Sequence, residues 1–144
     1  MTLVLQTNIA GRLAVWLVDG GRIIIARRKA IVWHSSDKAL ALVDRTIRQA
    51  KRSLREVHKI VVVRGPGPFT AVRTGLIIAN TLGMLLKIPV RGVVTKHQLS
   101  NADVLRDVRV KAGLGKIVKP WYGKSPNIST PKNTSRQAKE RWAR

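Results

Sequence analysis

The chain has 144 residues, 44% of them hydrophobic but only 4% aromatic, with 28 Lys and Arg against 7 Asp and Glu for a formal charge of +21. That is enough chain for one domain with an aliphatic core. The absence of cysteine excludes a disulfide framework and a thiolate metal site.

Thr2 to Thr7 (TLVLQT) reads as a first strand, Arg12 to Val18 (RLAVWLV) as a second and Arg22 to Lys29 as a third. Asn8-Ile9-Ala10-Gly11 and Asp19-Gly20-Gly21 are the turns between them, the second a strong hairpin signal. The chain therefore opens as three antiparallel strands. Ser36 is the expected N-cap of a helix from Asp37 to about Leu54. Leu40, Val43, Ile47, Ala50 and Leu54 form its apolar stripe. Arg45, Arg48, Arg52 and Arg55 gather on another face, which is either a solvated surface or one that meets acidic protein or RNA phosphate.

Lys59 to Thr95 organises the rest. Ile60 to Val63 is a β-branched run typical of a buried strand. Arg64-Gly65-Pro66-Gly67-Pro68 stops it, because two prolines and two glycines cannot continue a ladder. Thr70 is a candidate N-cap, Val72 to Lys87 is apolar at helical spacing, and Val90 to Val94 is a further strand after Ile88-Pro89. This is a βαβ unit with a right-handed crossover. Its glycine-rich turn is either a tight connection or an anion seat at a helix N-terminus. The Lys-Ser/Thr of a P-loop and the third glycine of the dinucleotide fingerprint are both missing. Gly75, Leu76, Ala79 and Gly83 mark the small-residue side of the helix, which suits close packing on its own sheet or contact with a second subunit. Ile77, Ile78, Leu82 and Leu85 make the opposite side apolar too, so both sides should be covered.

The run Arg64-Gly65-Pro66-Gly67-Pro68-Phe69-Thr70-Ala71-Val72-Arg73-Thr74-Gly75 resembles the RGPGSFTGxRxG segment of the TsaB (YeaZ-like) family. It departs at Pro68, usually serine, and at Ala71, usually glycine. The matching motif residues are Arg64, Gly65, Gly67, Phe69, Thr70, Arg73 and Gly75. The resemblance implies an α/β fold of the ribonuclease-H-like or actin-like type, a β1-β2-β3 meander followed by α-β-α-β. It implies a non-catalytic subunit in making threonylcarbamoyladenosine in tRNA. Members of the family pair through the helices of this half-domain, with themselves or with the catalytic paralogue TsaD. Kinases and ATPases of the wider fold group carry an aspartate on the first strand for metal-bound nucleotide, and this family often retains it as DTS. Here the stretch is Gln6-Thr7-Asn8, and an amide is a poor partner for magnesium. TsaD binds metal through His-x-x-x-His, whereas here His34 is followed four residues later by Lys38. His58 and His97 are isolated, so neither a metal nor a cofactor is expected.

After Thr95 the pattern weakens. Gln98 to Val108 suggests a short helix capped by Ser100 or Asn101, and Ile117 to Tyr122 an edge strand limited by Pro120. The Ser-, Pro- and Lys-rich remainder reads as a mostly disordered basic tail, with a weak helix over Ser135 to Ala143. Lys119 to Ile128 resembles the Pro-x-Tyr…Pro stretch that closes some family members. Together these predict a trimmed member, with a half-domain over 1–95 and a short helix and basic tail over 96–144.

Residues 1–95 hold 16 basic against 4 acidic residues and 96–144 hold 12 against 3, so the positive charge is spread along the chain. It reflects a polyanionic neighbour, RNA first, or a source whose proteins are all basic. Scarce aromatics speak against a base-stacking platform for single strands. The N-terminus does not read as a signal peptide, and the apolar run from Leu76 to Leu86 is broken by Asn80 and Thr81, short of a bilayer span. The expectation is a cytoplasmic scaffold that docks through Gly75, Leu76, Ala79 and Gly83 on a TsaD-like subunit or a second copy, with tRNA nearby. The rivals are a basic RNA- or ribosome-associated protein on the same fold and, behind it, an enzyme.

Overall fold

A computed structural model describes residues 1–31 and 36–123. Five strands form one mixed sheet: β1 (Thr2–Gln6), β2 (Arg12–Asp19), β3 (Arg22–Ala30), β4 (Lys59–Val63) and β5 (Val90–Val93). The order is β3-β2-β1-β4-β5. β1 and β2, and β2 and β3, pair antiparallel, while β4 lies parallel to both β1 and β5. The opening meander and the βαβ unit thus share a sheet, which is the architecture expected.

The helices α1 (Ser36–Gln49) and α2 (Phe69–Leu86) pack on one sheet face, and α3 (Asn101–Arg109) on the other. The first face is aliphatic: Leu3 and Leu5 from β1, Leu13, Val15 and Leu17 from β2, Ile60 and Val62 from β4. The alternation then puts Val4, Trp16, Val61 and Val63 on the second face, closed by Leu99 and Val104. Arg28 lies over the Trp16 ring at 5.6 Å and lids this face near β3.

α1 ends five residues before the expected Leu54. Lys51 adopts a left-handed φ of 53°, Arg52 N–H donates to Ile47 C=O and Lys51 N–H to Arg48 C=O. This is a Schellman closure with lysine where glycine is usual. Ser53 and Glu56 then form a capping box on a separate 3-10 turn, Leu54–Glu56. The buried stripe of α1 is Ala39, Leu42, Val43, Thr46 and Ile47, whereas the expected Leu40 is half-exposed. Thr46 is tolerated inside because its hydroxyl donates to Leu42 C=O at 2.7 Å. The cap expected at Ser36 adjoins residues 32–35, which lie outside the description, as do His34 and everything after Gly123.

α2 begins at Phe69, three residues earlier than expected, with Pro68 in the cap position and no side-chain cap bond from Thr70. By length and composition this helix could cross a bilayer, contrary to the sequence estimate. It is instead a half-buried layer on the sheet, with Ala71, Val72, Gly75, Leu76, Ala79, Leu82 and Gly83 turned inward. α3 has a capping box from Ser100 and Asp103, and Lys59 Nζ donates to Val108 C=O at its C-terminus. Ile117 to Tyr122 is not a strand. It is an extended strap whose Val118 exchanges two hydrogen bonds with the Asn80 side chain, at 2.9 and 3.0 Å, rather than a ladder with β5.

Acid should weaken the α3 cap. Hydrogen bonds from the Ser100 hydroxyl and backbone N–H hold the Asp103 carboxyl below its usual range. A depressed carboxylate contributes stability above its unfolded value, and the contribution is lost as pH falls through the lower folded value. Asp103→Asn should therefore lower the urea midpoint at neutral pH, and the two curves should converge as pH falls through the acid limb.

Candidate functional site

The C-terminal ends of β1, β4 and β5 meet at one edge of the sheet, where the motif turn 64–68 crosses. Gln6 is the side chain that binds this region together. It is 1% exposed. Its Nε2 donates to Asn8 Oδ1 at 3.0 Å and to His97 C=O at 2.8 Å. Its Oε1 accepts from Gln98 Nε2 at 2.8 Å and Leu99 N–H at 2.9 Å. Asn8 Nδ2 in turn donates to Pro66 C=O at 2.8 Å and Thr95 C=O at 2.6 Å. Two amides thus tie β1 to the motif turn and to the segment leading into α3.

The fold group's magnesium-nucleotide chemistry does not fit this arrangement. A hard cation needs anionic oxygen, but Gln6 presents a donor pair and an acceptor, each already committed. Among the described residues, no group of three His, Asp or Glu side chains could hold a metal ion. His58 sits against the Met1 amino group and His97 enters the clamp by its carbonyl.

The motif turn is closed by the chain's own backbone. Gly65, at φ 124°, follows β4, and the Gly65-Pro66 peptide is cis. A Cβ on Gly65 would collide with the Trp121 carbonyl, and one on Gly67 with the Asn8 backbone. Trp121 N–H donates to Arg64 C=O at 2.8 Å, and Arg64 Nη1 to Lys119 C=O at 3.1 Å. Arg73, one turn into α2, lies over the exposed Phe69 ring at 4.8 Å. Thr70 is exposed, and its C=O accepts from the Thr74 hydroxyl. The motif's glycines therefore serve close approach: Asn8 from inside, the strap from outside.

The small-residue side of α2 is not open to a partner. A Cβ on Gly75 would strike Thr7, and one on Gly83 would strike Val90. Leu76 and Ala79 are core residues. Gly75, Leu76, Ala79 and Gly83 let α2 settle onto β1, β4 and β5, so the close-packing alternative holds and the interface expectation for these four residues is corrected. The side facing outward carries Ile77, Met84 and Leu85, exposed by 60%, 70% and 73%. These lie at i, i+7 and i+8, one helical stripe.

The four arginines do not share a face either, because α1 stops at Gln49. Arg48 pairs with Asp44 at 2.9 Å, and Arg52 with Glu56 at 3.0 Å and Asp19 at 3.3 Å. The Glu56 carboxyl is held below its usual range by the Ser53 N–H and then by Arg52. Arg55 is exposed on the 3-10 turn. Arg45 lines a groove with two other cations, Lys29 from β3 and Lys38 from α1, and shares the wall of a neighbouring one with Arg48 and Asp44. Lys29 and Lys38 escaped sequence reasoning because their grouping depends on how β3 runs beside α1.

A five-stranded β3-β2-β1-β4-β5 sheet with helices on both faces and a glycine-proline turn after β4 defines a half-domain of the ribonuclease-H-like, actin-like class. Residues 29–110 match the family model described as TsaD: tRNA N6-adenosine threonylcarbamoyltransferase. The chain is 34% identical over 58 residues to the tRNA threonylcarbamoyladenosine biosynthesis protein TsaB of Buchnera aphidicola (subsp. Schizaphis graminum), covering 40% of this chain and 28% of that protein. It is 35% identical over 91 residues to the tRNA N6-adenosine threonylcarbamoyltransferase of Syntrophotalea carbinolica, covering 62% and 25%. It superposes on YeaZ from Pseudomonas aeruginosa with a TM-score of 0.60 and 29% identity, over 65% of this chain and 43% of that one. The chain belongs to this threonylcarbamoyltransferase family and is TsaB/YeaZ-like within it. It spans less than half the length of these relatives.

Two substitutions test the site. Gly75→Ala should cost about 1–3 kcal/mol by forcing α2 off Thr7, read as a lower urea midpoint with an unchanged slope. Gln6→Glu should be least harmful in acid. Burial raises a carboxyl's folded value, so the penalty is small below its unfolded value near 4.3 and grows as pH rises. At pH 8 the loss should reach about 3 kcal/mol, because an anion would face the His97 carbonyl.

Proposed function

We propose that the chain is a non-catalytic partner subunit in forming N6-threonylcarbamoyladenosine in tRNA, docking as a scaffold on a TsaD-like catalytic subunit. The observation that carries this reading is the outer stripe of α2. Ile77, Met84 and Leu85 stand in water on a helix whose other side is already buried. An exposed apolar stripe of this kind marks a surface that another helix covers. Leu40 on α1 faces outward in the same helix layer. Support also comes from the likeness to TsaB proteins of tRNA threonylcarbamoyladenosine biosynthesis and from Gln6, an amide whose bonds are all committed where the fold's enzymes use a carboxylate. A cytoplasmic location goes with this reading.

A second reading, a basic RNA-associated protein on the same fold, is favoured by one observation. Lys29, Lys38 and Arg45 line a groove with no acidic residue among the described residues of its wall. Such binding should weaken steeply with salt, whereas apolar docking should not.

Co-purification with the TsaD-like protein of the same source separates the two. The wild type should recover it at high salt. Leu85→Asp or Met84→Asp should reduce recovery about tenfold or more, as expected for an apolar anchor at the centre of an interface. Both positions are exposed, so circular dichroism should be unchanged. Equal recovery by all three proteins overturns the docking face.

A further inference from the structure

Trp16 is buried in the sheet, but three of the six aromatic residues lie close to one another. Phe69, Trp121 and Tyr122 meet beside the motif turn, exposed by 57%, 39% and 38%. The Phe69 and Tyr122 rings stack with centroids 5.3 Å apart and planes 24° apart. The Arg73 guanidinium lies 4.8 Å from the Phe69 centroid. Three flat groups from α2 and the strap therefore rest against one another, at spacings that suit ring stacking and cation–π contact. The strap that carries Tyr122 is pinned by Trp121 N–H to Arg64 C=O and by Arg64 Nη1 to Lys119 C=O. A Cβ on Gly123 would touch both Pro66 and the Trp121 indole, which places that ring beside the turn as well.

The surroundings are of one sign. There is no Asp or Glu between Glu56 and Asp103, nor between Asp107 and Glu140. The motif turn, all of α2 and the strap thus carry cations only, with Arg73 against the Phe69 ring and Arg64 and Lys119 in the turn and the strap. Aromatic planes among cations, on segments without carboxylates, match the two halves of a nucleotide: a base with a π face and a phosphate.

We infer that Phe69, Tyr122 and Trp121 form a stacking site for unpaired nucleobases of single-stranded RNA, with Arg64, Arg73 and Lys119 beside the phosphates. Scarcity of aromatics does not count against it, since stacking needs local rings rather than many. The inference is independent of docking through Ile77, Met84 and Leu85.

The test is fluorescence anisotropy of a labelled single-stranded oligouridine with the full chain, beside a labelled RNA duplex of equal length. The single strand should bind more tightly than the duplex. Tyr122→Ala and Phe69→Leu should each weaken single-strand binding about tenfold. Neither should change duplex binding or the slope against salt, because no cation is removed. Tyr122→Phe keeps the ring and should keep wild-type affinity, and Leu85→Asp should leave RNA binding intact whatever it does to docking. Circular dichroism checks that each variant is folded. Equal affinity for strand and duplex with no effect of the ring variants would mean charge alone, and would overturn the site. So would an acidic, aromatic peptide binding in a Tyr122-dependent way while the single strand does not.

Discussion

The amide pair Gln6 and Asn8 is the constraint on which the functional end of this molecule rests. It sits where β1 ends, and its bonds run to Pro66 in the motif turn, to Thr95 beyond β5 and to His97, Gln98 and Leu99 on the way to α3. None of these segments belongs to a helix or strand at that point. Without a side chain that both donates and accepts, the buried Leu99 N–H and the part-buried carbonyls of Pro66, Thr95 and His97 would lose these partners, at a cost for the buried group comparable to a lost hydrogen bond. An aspartate at this place could accept but not donate. The amide thus gives structural closure where an acid would give metal chemistry.

From that clamp the rest follows in layers. With β1, the turn and β5 held together, Gly75 and Gly83 bring α2 down onto the sheet until backbone meets Thr7 and Val90. Close approach on one side leaves Ile77, Met84 and Leu85 on the other, exposed among the described residues. On the far side of the turn, the strap fits only because Gly65 has no side chain. The same short turn therefore positions an apolar stripe along α2 and an aromatic cluster at the N-terminal end of that helix.

Much of this was legible in the amino acids. All five strands fall within a residue of the positions expected from the amino acids, and the meander followed by βαβ gave the sheet. The family motif was readable as a string, and so was its departure at Pro68, where α2 begins without a side-chain cap. What could not be read was which side of α2 faces in. The helix is apolar nearly all round, so periodicity alone cannot choose, and only the collision of a Cβ with Thr7 or Val90 decides. The arginine face failed for another reason. Lys51 takes a left-handed conformation usually left to glycine, so α1 stops early and Arg52 and Arg55 leave the helix. The meeting of Tyr122 with Phe69 joins segments far apart in sequence, and no local pattern reports it.

The strap has a thermodynamic consequence. Phe69 is held on α2 whatever the strap does, but Tyr122 joins it only while residues 118–122 lie across the turn. A ligand that needs both rings binds the seated form alone, and so draws the population toward it by mass action. The seating of that segment and the affinity for such a ligand are then reciprocal quantities, and whatever loosens one must weaken the other by the same free energy.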